Sequence, residues 1–183
     1  MFMAFIIGTA GSGKSLLTAA FSEWLKMQKQ DVVTVNLDPG VLELPYSPDV
    51  DVRDYVDVTS LMDEYQLGPN AALIMAADLI AEEIDKVAAE IEALNPDIVI
   101  ADEPTSALDV IVQFQILDLM ERLKKQYNVG MIFISHDISV VAEISDKIAL
   151  MYAGQIVEYA DAISFFEEHL HPYAELLLQS VPN

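Results

Sequence analysis

The chain begins with an apolar run, Met1 to Ile7, that leads straight into Gly8-Thr9-Ala10-Gly11-Ser12-Gly13-Lys14-Ser15. This octapeptide constrains the fold more than any other feature. A loop that holds a polyphosphate must turn sharply and bring backbone N–H groups close to oxygens, and Gly8, Gly11 and Gly13 permit that backbone. The segment from Leu16 to Lys29 has apolar residues at helical spacing (Leu17, Ala20, Phe21, Trp24, Leu25). Such a helix points the positive end of its dipole at bound phosphate. Lys14 would bridge the outer phosphates and the Ser15 hydroxyl would ligate Mg²⁺. The candidate phosphate-binding residues are therefore Gly8, Thr9, Ala10, Gly11, Ser12, Gly13, Lys14, Ser15 and Leu16.

The remaining sequence alternates strand-like and helix-like runs. Val32 to Leu37 is β-rich and closes on Asp38-Pro39-Gly40, a turn signal. Val41 to Asn70 is irregular, with a short helix expected around Ser60 to Tyr65. Ala71 to Leu94 is helical and stops at Asn95-Pro96. Asp97 to Ala101 is a third strand, ending in Asp102-Glu103. A helix is expected over Ser106 to Tyr127 and a fourth strand over Val129 to Ile134, ending in Ser135-His136-Asp137. A short helix (Ser139 to Ile144) then precedes a strand pair, Lys147 to Tyr152 and Gln155 to Tyr159. Two short helices, around Ala162 to His169 and Pro172 to Ser180, finish the chain. This alternation predicts an α/β protein, the three-layer P-loop NTPase fold: a mostly parallel sheet with helices on both faces. All 183 residues are expected to form one domain.

Ligands of a parallel sheet gather at the carboxyl ends of its strands. Asp102 and Glu103 emerge there, so Asp102 is a candidate Mg²⁺ ligand and Glu103 a candidate general base for water. Asp38 can assist in orienting that water, and His136, at the end of the fourth strand, is a candidate donor to the terminal phosphate on the strength of the resemblance given below. The metal candidates are thus Ser15 and Asp102, and the catalytic candidates Glu103, His136 and Asp38.

Composition narrows the partners. Nine Lys and Arg against 30 Asp and Glu give a formal net charge of −21. That surface repels nucleic-acid backbones and anionic membranes, so any anion is held at one local site. No cysteine is present, which removes disulfides and thiolate metal sites. No apolar run reaches the roughly 18–20 residues of a membrane span, and no targeting signal is visible. The expected address is the cytoplasm.

Two resemblances follow from the motifs. From Met1 to about Asp97 the chain resembles the GPN-loop GTPases. The matching residues are the phosphate loop, Asn36-Leu37-Asp38-Pro39, Tyr46-Ser47-Pro48-Asp49 leading into Val52-Arg53-Asp54, and Gly68-Pro69-Asn70. In that family the Gly-Pro-Asn loop reaches the partner's nucleotide site in a homodimer. From about Ala101 to Asn183 the chain is similar to the second half of an oligopeptide/dipeptide-importer ABC ATPase. Ala101-Asp102-Glu103-Pro104-Thr105 matches its Walker B strand end, Ser106-Ala107-Leu108-Asp109 its D-loop and Ile134-Ser135-His136-Asp137 its switch histidine. Met151-Tyr152-Ala153-Gly154-Gln155-Ile156-Val157 and His171-Pro172-Tyr173 match its tail.

Each resemblance is partial. Thr105 stands where the GTPases have the glycine of Asp-x-Pro-Gly, and their guanine-reading Asn-Lys-x-Asp is absent from the sequence. The ABC part lacks the adenine-stacking aromatic residue, the Q-loop and the Leu-Ser-Gly-Gly-Gln signature. The chain reads as a chimera of engineered origin, spliced at a strand common to both families near Asn95 to Asp102. The resemblances imply Mg²⁺-dependent binding of GTP or ATP with weak hydrolysis, or a nucleotide-binding or fold-testing protein without significant turnover. They imply a monomer or homodimer. Strand order stays open: the ABC arrangement would insert the His136 strand between the Asp102 strand and the phosphate-loop strand, whereas the GTPase arrangement would make the latter two neighbours.

Overall fold

The structure, a computed structural model, describes residues 2–103, 110–136, 138, 141 and 144–179. Ser106 to Asp109, Asp137 and much of the helix expected over 139–144 lie outside the described residues.

The apolar runs form strands: β1 Met3–Ile7, β2 Val32–Asn36, β4 Ile98–Asp102, β5 Gly130–Ser135 and β6 Lys147–Tyr152. All five residues of β2 and of β4 are buried. Continuous burial of this kind belongs to strands covered on both faces. A two-residue strand, β3 Val50–Asp51, and the antiparallel β7 Gln155–Asp161 form the edges. The order is β3-β2-β4-β5-β1-β6-β7, one seven-stranded sheet, parallel except for β7.

This order decides the question the sequence left open. β5 pairs with β1 on one side and with β4 on the other. The strand that ends beside His136 is therefore the neighbour of the phosphate-loop strand, and Asp102 stands one strand further away.

Side chains alternate across the sheet with the two-residue period of a strand. Met3, Phe5 and Ile7 point into the larger core with Val99, Met131 and Phe133, and the Phe5 and Phe133 rings stack 4.8 Å apart. Helices α2 (Val58–Tyr65), α3 (Pro69–Leu94), α4 (Val110–Tyr127), α5 (Ala162–Glu168) and α6 (Pro172–Gln179) contribute to that core. Ile6, Ile100, Ile132, Ile134 and Met151 point the other way, into a smaller core with Leu17, Phe21 and Leu25 of α1 (Lys14–Met27). Gly68, extended at φ −73° and ψ 162°, is the N-cap of α3 and Pro69 its first residue. The Gly68-Pro69-Asn70 stretch thus starts a helix, which suits a proline whose missing N–H needs no partner there. Among the described residues, no helix is long and apolar enough to cross a membrane.

Candidate functional site

β1 delivers the chain at the carboxyl edge of the sheet, and the glycine-rich loop turns it into α1. Ser12 N–H donates to Thr9 O at 3.1 Å, and Gly13, at φ +98°, caps the helix. That left-handed conformation favours glycine. Gly8 is demanded for another reason. A Cβ there would lie 2.4 Å from Met151 O, because β6 runs alongside β1 in close register. The β6–β7 turn and α6 also support the loop: Gly154 N–H donates to Ser12 O at 2.9 Å, and Tyr173 Oη accepts from Thr9 N–H at 3.2 Å. These supports join residues far apart in sequence, so no local pattern announces them.

Lys14 is buried, 6% exposed, and its Nζ donates to Gly8 O at 3.0 Å and Thr9 O at 3.2 Å. Its ammonium lies 3.4 Å from Glu103 Oε1, and Glu103 Oε2 lies 2.8 Å from His136 Nδ1. Lys14, Glu103 and His136, from three parts of the chain, thus form one contiguous polar line across the ends of β1, β5 and β4. Glu103 N–H donates to Ile134 O at 2.8 Å, which fixes its backbone against β5. Its φ is +51°, a conformation that costs a side-chain-bearing residue about 1–2 kcal/mol. Backbone strain of this sort gathers at functional sites.

Asp102 differs sharply from its neighbour. It is 2% exposed, and Tyr46 Oη donates to its Oδ2 at 3.0 Å. Its Oδ1 is buried with no hydrogen-bond partner among the described residues. Burial pushes the Asp102 pKa above the ordinary carboxylate value, while the nearby Tyr46 and Ser15 hydroxyls pull the other way. Asp38 is also raised, first by burial and then by the charge of Glu103, with the Gly40 N–H bond and His136 opposing. Gly40 N–H donates to Asp38 Oδ1 at 2.8 Å, so Asp38 closes its own turn at the rim of the site.

The donor set at Asp102 suits a hard divalent cation: a hydroxyl on Ser15 and a buried carboxylate with one bare oxygen. Among the described residues, no three His, Asp or Glu side chains gather as a complete metal cage. A cation here would therefore draw most of its ligands from phosphate and water, as Mg²⁺ commonly does.

Every candidate site residue is thus placed at one edge of the sheet. Leu16, 66% exposed, lies in the first turn of α1. Tyr46 also joins the site, touching Asp102 from a loop without periodicity, so no local pattern marks it. Arg53 is not part of this line. It is partly buried and pairs with Asp51 at 2.6 Å, and its Nη1 also donates to Val41 O.

A family model described as "Conserved hypothetical ATP binding protein" matches residues 6–166. The chain belongs to that family, the GPN-loop GTPases. The match runs well past residue 97, the expected end of the GPN-loop resemblance. Curated relatives point elsewhere. The oligopeptide transport ATP-binding protein OppD of Lactococcus lactis subsp. cremoris (strain SK11) is 53% identical over 91 residues, 50% of this chain and 27% of the relative. AppF of Bacillus subtilis (strain 168), likewise an oligopeptide transport ATP-binding protein, is 49% identical over 89 residues, 49% of this chain and 27% of the relative. The chain therefore spans only 27% of the length of these curated relatives.

Among solved structures, CbiO1 from Clostridium perfringens, part of an ABC transporter complex, matches with a TM-score of 0.62 at 20% identity over 91% of this chain and 80% of that one. A dimeric ATP-binding cassette in a post-hydrolysis state, bound to ADP and Pi, matches with a TM-score of 0.55 at 19% identity over 88% and 85%. At these identities the likeness concerns the fold, which is the α/β P-loop NTPase fold of the ABC ATPases.

Proposed function

We propose that this chain binds a nucleoside triphosphate, GTP or ATP, with Mg²⁺ and hydrolyses it slowly. The observation that carries the reading is the line Lys14–Glu103–His136 at the mouth of the phosphate loop, with contacts of 3.4 and 2.8 Å. A phosphate seated in the loop competes with Glu103 for Lys14 and releases the Glu103 carboxylate. Glu103 then takes a proton from water as its oxygen attacks the terminal phosphorus and the bond to the bridging oxygen breaks. Lys14 and the loop amides stabilise the charge that moves onto the bridging and equatorial oxygens. His136 donates to the terminal phosphate, and Asp38 helps orient the water. Ser15 and Asp102 would hold Mg²⁺, which when bound neutralises charge on the outer phosphates.

The two resemblances, together with a family match over residues 6–166 and curated identities confined to about half the chain, support a chimera of engineered origin. In this reading 1–97 and 98–183 fold as one P-loop unit. The β5 position between β4 and β1 is the arrangement expected of the ABC part. The chain would act as a cytoplasmic monomer or as a homodimer through Gly68-Pro69-Asn70. Groups brought together from two parents must meet within about half an ångström to catalyse well, which favours slow turnover. A second reading, nucleotide held without turnover, is favoured by Glu103, whose two carboxylate oxygens are already engaged by Lys14 and His136.

Single-turnover hydrolysis separates the two. Glu103→Gln should retain nucleotide and lose rate, and Lys14→Ala should lose both. An unchanged rate in Glu103→Gln overturns the general-base role. A wild-type protein whose melting temperature does not rise with nucleotide overturns binding itself.

A further inference from the structure

Asp102 presents two oxygens in different circumstances. Its Oδ2 accepts a hydrogen bond from Tyr46 at 3.0 Å, whereas its Oδ1 is buried with no hydrogen bond among the described residues, the Ser15 hydroxyl lying near the carboxylate. A carboxylate with one oxygen held cannot rotate freely, so its other oxygen keeps one direction. Tyr46 is itself held. It sits in the loop between β2 and β3, and that loop is tied at both ends. At one end Leu37 N–H donates to Asp102 O at 3.2 Å, and at the other Asp49 N–H donates to Thr34 O at 2.8 Å. Asp49 Oδ2 also accepts from the Thr34 hydroxyl at 2.9 Å.

We infer that Tyr46 is a positioning residue for the metal carboxylate: by engaging Oδ2 it directs the bare Oδ1 of Asp102 toward a divalent cation beside Ser15. This rests on the nucleotide-site reading above. An outer hydrogen bond of this kind tunes a metal ligand, and its loss commonly lowers metal affinity 10–100-fold. Among the described residues Tyr46 hydrogen-bonds Asp102 and no residue of the phosphate loop, so its effect should fall on the metal rather than on the triphosphate. It also couples the metal carboxylate to the β2–β3 loop, which carries Asp38 but none of the candidate metal ligands.

The test is a Mg²⁺ titration of the full chain in the presence of a non-hydrolysable triphosphate, followed by thermal melting and by calorimetry, with EDTA controls. Tyr46→Phe should raise the Mg²⁺ concentration for half-maximal stabilisation at least 10-fold and leave binding of the metal-free triphosphate unchanged. In an Asp102→Asn background the same substitution should add no further shift, because Tyr46 acts through that carboxylate. An unchanged or tighter Mg²⁺ dependence in Tyr46→Phe overturns the inference. So does an equal loss of affinity with and without Mg²⁺, which would make Tyr46 a loop support only. If Tyr46→Phe fails to fold, 3-fluorotyrosine in the wild-type chain gives the answer: the triphosphate-bound protein must show one fluorine resonance that moves on Mg²⁺ addition and stays still in Asp102→Asn. Absence of such a resonance also overturns the inference. A wild-type chain that binds no triphosphate instead fails the nucleotide-site reading.

Discussion

The phosphate loop is flanked by two regions that serve it differently. On the β5–β4 side stand ionisable groups: Glu103, His136 and Asp102, within reach of Lys14 and Ser15. On the β6 side stand Met151, Gly154 and Tyr173, which touch the loop mainly through backbone atoms and a phenol. One flank is built to act on what the loop holds, and the other to hold the loop in shape. A substitution on the first flank should change chemistry at constant stability, and one on the second should do the reverse.

The largest expected effect tests the chemical flank. Glu103→Gln keeps size and geometry and should slow single-turnover hydrolysis about 10²–10⁴-fold with an unchanged melting temperature. A fall in stability instead would blur the division. Lys14→Ala removes a buried cation and should weaken triphosphate binding about 100-fold, read by calorimetry. The supporting flank comes next. Gly8→Ala forces a methyl group against Met151 O and should cost about 1–3 kcal/mol in urea unfolding, because backbone cannot swing aside. Gly154→Ala meets no atom within 4 Å, but its φ of +80° should still cost about 1 kcal/mol.

The smallest effect is in pH dependence. Burial raises the folded-state pKa of both Asp102 and Asp38 above 3.8. Their neutral forms therefore favour the unliganded fold below 3.8, and that contribution is lost as pH rises through the raised values. A bound cation needs the charged form of Asp102. The gain in melting temperature from Mg²⁺ and triphosphate should accordingly widen as the pH rises above 3.8 and the raised Asp102 carboxyl ionises. A gain that is flat across this range would place the cation elsewhere.

Much of this architecture is legible in the residues. The glycine-rich loop and the buried runs of β2, β4 and β5 carry strong local signals, and each matched segment lies within a few residues of its expected bounds. What was hidden depends on distance or on neighbours. β3 is two residues long, too short for periodicity, and it precedes a 3₁₀ turn at Val52–Asp54. Strand order could not be read, because an apolar run records that it is covered but not which strand lies beside it. Tyr46 and Asp102 are 56 positions apart. Gly8 looks like a phosphate-loop glycine, yet the neighbour that requires it is Met151 O on another strand. Arg53 lies two positions from Asp51, and their burial becomes evident only once β3 and the loop at Val41 close around them.

A crystal structure with a non-hydrolysable triphosphate and Mg²⁺ decides whether the loop and the β5–β4 flank together form a triphosphate site. The terminal phosphate should sit on Lys14 Nζ in place of Glu103, with Glu103 and His136 turned to it and the cation between Ser15 Oγ and Asp102 Oδ1. A structure in which Lys14 keeps its contact with Glu103 while the triphosphate lies elsewhere would contradict it.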